Sequence, residues 1–365
     1  MITNLDTYSS EDEKQVFDEA TENEDIARVE YDITSYGADY DVEGLVRRLE
    51  RDNIAIPNFQ RDYVWSQPEA SRFIESLLLG LPVPGVFLAR EAETEQLLVI
   101  DGQQRLKSLQ FFYRGIFNPD QESTKVFQLK KVQPHFEGKT FDDLDARDKE
   151  RLNNSILHAT IVKQDKPSND NTSIYHIFER LNTGGRKLAP QQIRNVVYHG
   201  DFIDRLGHLN DYEPWRKIFG RKNKLLKDQE LILRFLALYF DVDNYKSPMK
   251  EFLNMFTLKN KEGEHVDLAF CEDIFKRTID VAYQALGERA FRLEVALNAA
   301  VFDSVMVGIA HRINENSAFS TEKIRSRYRK LIEDETYLQA VSRATANERS
   351  VLSRLEMATR AFSDA

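Results

Sequence analysis

Strand signals in this chain are confined to its first half, and that asymmetry narrows the folds open to it. Before Pro190, short apolar runs alternate with helical stretches. Ile54-Ala55-Ile56-Pro57 reads as a short extended piece, and Val86-Phe87-Leu88 as a strand led in by Pro82 and Pro84. Residues 96–100 (QLLVI) and 156–162 are further apolar strand candidates. Between them, Val42, Leu45, Val46 and Leu49 share one helical face from Asp41 onward. Residues 66–80 form a punctuated helix: Ser66 and Glu69 make a capping box, Phe73, Ile74, Leu77 and Leu78 the buried stripe, and Gly80 the stop. Residues 106–113 and 173–181 are also helical. After Pro190 only helical spacing is left, over 229–240, 268–286, 291–313 and 321–346. There Leu293, Leu297, Ala300, Val301, Ser304, Val305 and Gly308 form a stripe whose small members allow close helix approach. The expected class is α+β, a small mixed sheet followed by an all-α helical domain, with boundaries at 1–30, 31–200 and 201–365.

The 365 residues suffice for two domains with substantial cores. The lone Cys271 excludes a disulfide framework and any Cys-rich zinc or iron–sulfur site. His135, His158, His176, His199, His208, His265 and His311 show no clear metal-ligand spacing, and any metal is left unassigned. The longest apolar run, 231–240, is half of the ~20 residues a membrane span needs and is broken by Arg234. With a polar N-terminus that carries neither a secretory nor a transit signature, the expectation is a cytoplasmic protein with no membrane partner. The net charge of −10 is uneven: residues 1–30 hold ten acids against Lys14 and Arg28. So acidic and apolar-poor a segment is expected to be mostly disordered. Two stretches are basic. Residues 215–227 carry Arg216, Lys217, Arg221, Lys222, Lys224 and Lys227 with no acid, and residues 323–330 (KIRSRYRK) carry five cations. Each reads either as a solvated helix face or as a surface for an anionic partner.

The sharpest local signal is Asp101-Gly102-Gln103-Gln104-Arg105, between an apolar strand and a helix. Unpaired N–H groups and the positive dipole end at such a junction suit a phosphate. Gly102 permits close approach to the backbone, Arg105 offers a planar fork of donors, and Gln103 or Gln104 can orient a water. The same residues also read structurally, with Asp101 as N-cap, Gln104 as its capping-box partner and Arg105 as an exposed first-turn residue. A second constellation, Pro57 to Trp65, sets Gln60 and Arg61 among aromatics. If it lies beside the 96–100 strand, Arg61 and Arg105 face one anion; Tyr63 and Trp65 read equally as core aromatics. A third, Asn182-Thr183-Gly184-Gly185-Arg186-Lys187, reads as a glycine turn or as a polar lip over a ligand. Gly80 and Gly85 have P-loop spacing, but Val86-Phe87 follow, so that motif is absent, as are H-E-x-x-H and G-x-S-x-G.

Four of these segments in order, IPNFQRDYVW, SLLLGLPVPGVFLA, LLVIDGQQRLKSL and IFERLNTGGRKLAPQQIRN, resemble the N-terminal domain of GmrSD-type modification-dependent restriction endonucleases, a branch of the ParB/sulfiredoxin-like fold. The resemblance covers about residues 40–200. It implies a small mixed sheet with the D-G-Q-Q-R loop at a phosphate-binding helix, and nucleoside-triphosphate binding and hydrolysis, with Mg²⁺, coupled to DNA restriction in anti-phage defence. The implied nucleotide-binding set is Gln60, Arg61, Gly102, Arg105, Lys107, Asn182, Thr183, Gly184 and Gly185; the implied catalytic set is Asp101, Gln103, Gln104 and Arg105. Family members often add an HNH-type nuclease domain. No such histidine cluster occurs here, so the expectation is a separate HNH-type nuclease partner or none. Sulfiredoxin relatives use a cysteine in this loop; here there is none, and Cys271 is remote in sequence.

Three functions follow. The first is a nucleoside triphosphatase, for GTP or another NTP, whose helical half contacts the DNA backbone through Arg216, Lys217, Arg221, Lys222, Lys224 and Lys227. The second is a nucleotide or DNA-binding module without turnover that recruits a nuclease. The third is a nuclease in the sheet domain itself. A homo-oligomer is compatible with each.

Overall fold

The computed structural model describes residues 15–18, 32–56, 63–91, 95–119, 125–166, 172–181, 188–315 and 320–363. The chain divides into two compact units: a sheet unit, Glu30–Lys187, and a helical unit, Met1–Val29 with Leu188–Ala365. The first described strand, β1 (Val16–Phe17), belongs to the helical unit. The sheet unit then runs β2 (Asp32–Asp41), α1 (Val42–Glu50), β3 (Ile54–Ala55), α2 (Gln67–Leu79), β4 (Val86–Arg90), β5 (Leu97–Asp101), α3 (Gln103–Arg114), β6 (Ile116–Phe117), β7 (Lys125–Val126), α4 (Ala146–Asn153), β8 (Ile156–Lys166) and α5 (Thr172–Leu181).

Its main sheet is mixed, in the order β2-β8-β4-β5-β3. β4 runs parallel to β8, with Val86 opposite Ala159, and antiparallel to β5; β3 runs parallel to β5, with Ile54 opposite Leu97. Val86 and Leu88, Leu97 and Val99, and Leu157, Ala159 and Ile161 are buried at alternate positions of their strands, and share one core with α1, α2 and α3. Two helices start at the caps their sequence marks, while that expected over 106–113 begins earlier, at Gln103. The Asp41 carboxylate accepts the Gly44 N–H at 2.6 Å, ahead of the buried Val42, Leu45, Val46 and Leu49. The Ser66 N–H and hydroxyl both donate to Glu69 at 2.7 Å, and Gly80, at φ 70°, ends α2. The long strand β2 has no counterpart among the sequence expectations. It is an edge strand, paired only with β8, and none of its described side chains is buried, so it lacks apolar alternation.

The helical unit comprises α6 (Pro190–Val197), α7 (Asp201–Asn210), α8 (Glu213–Phe219), α9 (Lys227–Asp241), α10 (Met249–Lys259), α11 (Leu268–Leu286), β9 (Leu297–Asn298), α12 (Ala299–Glu315), α13 (Thr321–Leu331), α14 (Glu335–Ser342) and α15 (Glu348–Phe362). Two expectations are corrected here. The helix expected over 291–313 starts only at Ala299, because Leu297 and Asn298 pair in parallel with Val16 and Phe17; strand structure therefore does occur after Pro190. The helix expected over 321–346 breaks at Asp334, whose carboxylate caps α14 through the Tyr337 N–H at 2.9 Å. Of residues 1–30, the described residues 15–18 are ordered against this unit. The small-residue stripe does what its spacing implies: a Cβ on Gly308 would stand 2.9 Å from the Ala358 carbonyl, so glycine lets α12 and α15 meet closely.

Inside this unit lies a network of buried charge. Arg234 donates to Asp303 through Nη2 at 2.6 Å and to Asp18 through Nη1 at 3.0 Å, while Arg354 donates to the same Asp303 at 3.2 Å. Next to it, Glu230 accepts from Lys227 and from Arg194, both at 2.9 Å. Burial raises the Glu230 carboxyl, but Lys227 and Arg194 more than offset this and hold it at about 2, below its ordinary 4.5. A depressed carboxylate contributes stability that is complete above pH 4.5 and is lost as pH falls toward 2. Unfolding free energies of the full chain from urea titrations are therefore expected to fall between about pH 5.5 and about pH 3, by on the order of 2 kcal/mol from this group, and Glu230→Gln should flatten that pH dependence.

Candidate functional site

β5 ends at Asp101 and α3 begins at Gln103, with Gly102 as the N-cap at φ 100°. A Cβ at Gly102 would stand 2.4 Å from Val86 Cγ1, so only glycine lets this turn close against β4. The structural alternative for the motif is thereby corrected. The cap is a residue with no side chain, and Asp101 and Gln104 act elsewhere. Arg105 Nη2 donates to Asp101 at 2.8 Å and to the Gly85 carbonyl at 2.9 Å, clasping the end of β5 to the lead-in of β4. The Arg105 side chain is only 16% exposed, against 59% for Asp101, and its buried Nε has no hydrogen-bond partner among the described residues. Gly85 is needed for its own reason: a Cβ there would stand 2.6 Å from the His158 carbonyl oxygen on β8.

Gln104 turns its carbonyl oxygen to the chain that follows Arg61, accepting the N–H groups of Val64 at 3.0 Å and Trp65 at 3.2 Å. This oxygen is therefore engaged in stitching the second constellation to α3. Tyr63 adds to the seam, its hydroxyl 2.7 Å from that of Ser108, which in turn donates to the Gln104 carbonyl at 2.7 Å. Burial drives the Tyr63 phenol well above its ordinary value, leaving it neutral, and Trp65 packs edge-on against Phe73. Both are packing residues. Gly102 and Gln103 are buried, and Lys107 is half-buried one turn further on. Gln60 and Arg61, and Asn182, Thr183, Gly184 and Gly185, lie outside the described residues. Sequence reading missed Gly85, Val86 and Ser108 as parts of this junction; the only signal was the glycine in LPVPG ahead of the strand.

Gly102→Ala is expected to cost about 2 kcal/mol, from backbone strain and displacement of Val86. Adding Val86→Ala should lessen that cost, since it removes the clash; a double-mutant cycle on urea midpoints measures the coupling.

The basic stretch 215–227 is less available than its composition implied. Arg216 lies over the Trp215 and Phe219 rings and donates to buried Asp228 at 2.9 Å. Lys227 points into the charge network, against Glu230 and Asp18. Both are half-buried and paired with carboxylates rather than fully exposed. Lys217 pairs with Glu213 and Lys222 with Asp211; Arg221, Lys222 and Lys224 are exposed. Burial pushes the Cys271 thiol up to about 12, so it is inert at neutral pH. His135, Asp145 and Asp148 come together at the start of α4, where Asp145 caps the helix through the Asp148 N–H at 2.8 Å. Among the described residues, no helix is long and apolar enough to cross a membrane.

Fold and junction together define a mixed-sheet α+β domain in which a glycine-capped helix follows directly on a central strand. Residues 42–199 match the family described as the GmrSD restriction endonuclease, N-terminal domain. The matched segment runs from α1 through α6. The chain is also similar to an uncharacterized protein of Methanocaldococcus jannaschii, 29% identical over 137 residues, covering 31% of this chain and 22% of the relative. The match thus spans about a fifth of that protein's length. No solved structure matches the chain.

Proposed function

We propose that this chain is a nucleoside-triphosphate-binding and hydrolysing component of a restriction system acting on DNA, with the triphosphate held at the junction of β5 and α3. The observation that carries the reading is Gly102: a side-chain-free cap at a helix N-terminus, in a domain that matches the GmrSD N-terminal family, with an arginine one step inside the helix. Helix N-termini of this kind favour phosphate through oriented N–H groups and the dipole. Arg105 supplies the fork that stabilises charge on the transferred phosphoryl group, by exchanging Asp101 for phosphate oxygens. Asp101 is the exposed carboxylate of the loop; one carboxylate with phosphates and water is a usual donor set for Mg²⁺ accompanying a nucleotide. Gln103 and Gln104 are the water-positioning candidates, and the Gln104 oxygen also accepts the Val64 and Trp65 N–H groups. Restriction is the biological setting that the family match supports; the cutting partner in this reading is a separate nuclease. Incubating the full chain with each of the four NTPs and Mg²⁺ separates the readings. Phosphate release supports the enzyme, binding without release the switch module, and plasmid nicking without nucleotide a nuclease in the sheet domain.

A further inference from the structure

The second basic stretch of the sequence has no role in the function above, and its geometry differs from that of the first. In α13, Ile324, Tyr328 and Leu331 are buried and anchor the helix by one face. The other side lines an open groove of about 300 Å³ with Glu322, Arg325, Ser326, Arg329 and Lys330. Among the described residues no carboxylate pairs with Arg325, Arg329 or Lys330, whereas Arg216, Lys217, Lys222 and Lys227 of the first stretch all have one. Glu322 turns back to the helix start, where the Ser320 hydroxyl donates to it at 3.1 Å. Arg325 is held in place by donating through Nε to the Ala285 carbonyl at 2.6 Å and through Nη2 to that of Gln284 at 3.4 Å, at the C-terminal end of α11.

We propose that this face of α13, centred on Arg325, Arg329 and Lys330, is the surface through which the helical unit grips the phosphate backbone of duplex DNA. The proposal rests on the reading that the chain acts on DNA. Binding of this kind releases counterions from the duplex, so it favours cations not already neutralised by carboxylates; these three meet that need, whereas Arg216, Lys217, Lys222 and Lys227 are already paired. Guanidinium forks also match phosphate oxygens in geometry. A membrane surface is the poorer partner, because an interfacial helix needs an exposed apolar face and the apolar residues of α13 are all buried. The contacts read no bases, so affinity is set by salt rather than sequence.

The test is fluorescence anisotropy of a labelled duplex with the full chain, from about 50 to about 300 mM KCl, for wild type and Arg329→Gln/Lys330→Gln. Both side chains are exposed, and a thermal melt confirms that the variant is folded. Losing two phosphate contacts is expected to lower the log–log salt slope by nearly two and to weaken binding roughly tenfold or more at low salt. Lys222→Gln/Lys224→Gln is expected to change the slope by less, and phosphate release from NTP should stay at the wild-type rate in both variants. A wild type that binds, with an unaltered slope in the α13 variant, overturns this surface and leaves the proposed function standing. A wild type with no salt-dependent DNA binding overturns both this surface and the DNA half of that function. Capture of anionic-lipid vesicles in place of the duplex, lost in the α13 variant, overturns the assignment to DNA.

Discussion

Asp303→Ala is expected to destabilise the chain by about 3–5 kcal/mol, enough to unfold a marginal helical unit at room temperature. Asp303 is fully buried and accepts from two guanidinium groups, those of Arg234 and Arg354. Arg354 is itself completely buried, and its other hydrogen bond among the described residues goes to the Thr345 carbonyl; burial lowers its pKa despite the neighbouring carboxylate. Removing Asp303 leaves both cations in a low-dielectric interior with one fewer anion, which costs far more than the pair contributes net when intact. Denaturant titration of the full chain checks this, with a lower midpoint expected at an unchanged slope. Replacing Arg234, Asp303 and Arg354 together by apolar residues of similar volume should cost much less than Asp303→Ala alone, since no charge is then stranded. A loss below about 1 kcal/mol for Asp303→Ala would show that the network is open to solvent.

The second large effect is on turnover. If Arg105 stabilises charge on the transferred phosphoryl group, Arg105→Ala is expected to lower kcat for phosphate release by about 10²–10³-fold, with a smaller change in KM. Arg105→Lys should recover little of it, because an ammonium cannot present two parallel donors to phosphate oxygens. The same substitutions break the clasp to Asp101 and Gly85, so rates must be compared well below the melting temperature of each variant. A purely structural Arg105 would instead give a lower melting temperature with kcat intact among the molecules still folded.

Local features of this fold were legible in the sequence wherever the physics is local. The Ser66–Glu69 capping box, the left-handed Gly80 stop and the glycine at the β5–α3 junction lie where their residue types demand special backbone or cap geometry. The sheet's central strands were legible for a similar reason, since burial on the core face left apolar signatures in 86–88, 97–100 and 156–162. Features that depend on distant partners were not. β2 is polar because it lies at an edge, and β1 with β9 joins residues at opposite ends of the chain. Asp18 counts as one more acid in an acidic segment until Arg234 and Lys227 are seen to surround it. Arg216 counts as a surface cation until the buried Asp228 is seen to pair with it. At the candidate site the glycine and the arginine were legible, but the engagement of Gln104 by the Val64 and Trp65 backbone was not, because an amide side chain serves a loop and a water equally well.

The most direct measurement is a crystal structure of the full chain grown with Mg²⁺ and a non-hydrolysable NTP analogue. The account expects phosphate oxygens within hydrogen-bond distance of the Gln103 and Gln104 backbone N–H groups, and the Arg105 guanidinium turned from Asp101 to the nucleotide. A nucleotide bound elsewhere, with Arg105 still closed on Asp101 and Gly85, would contradict it.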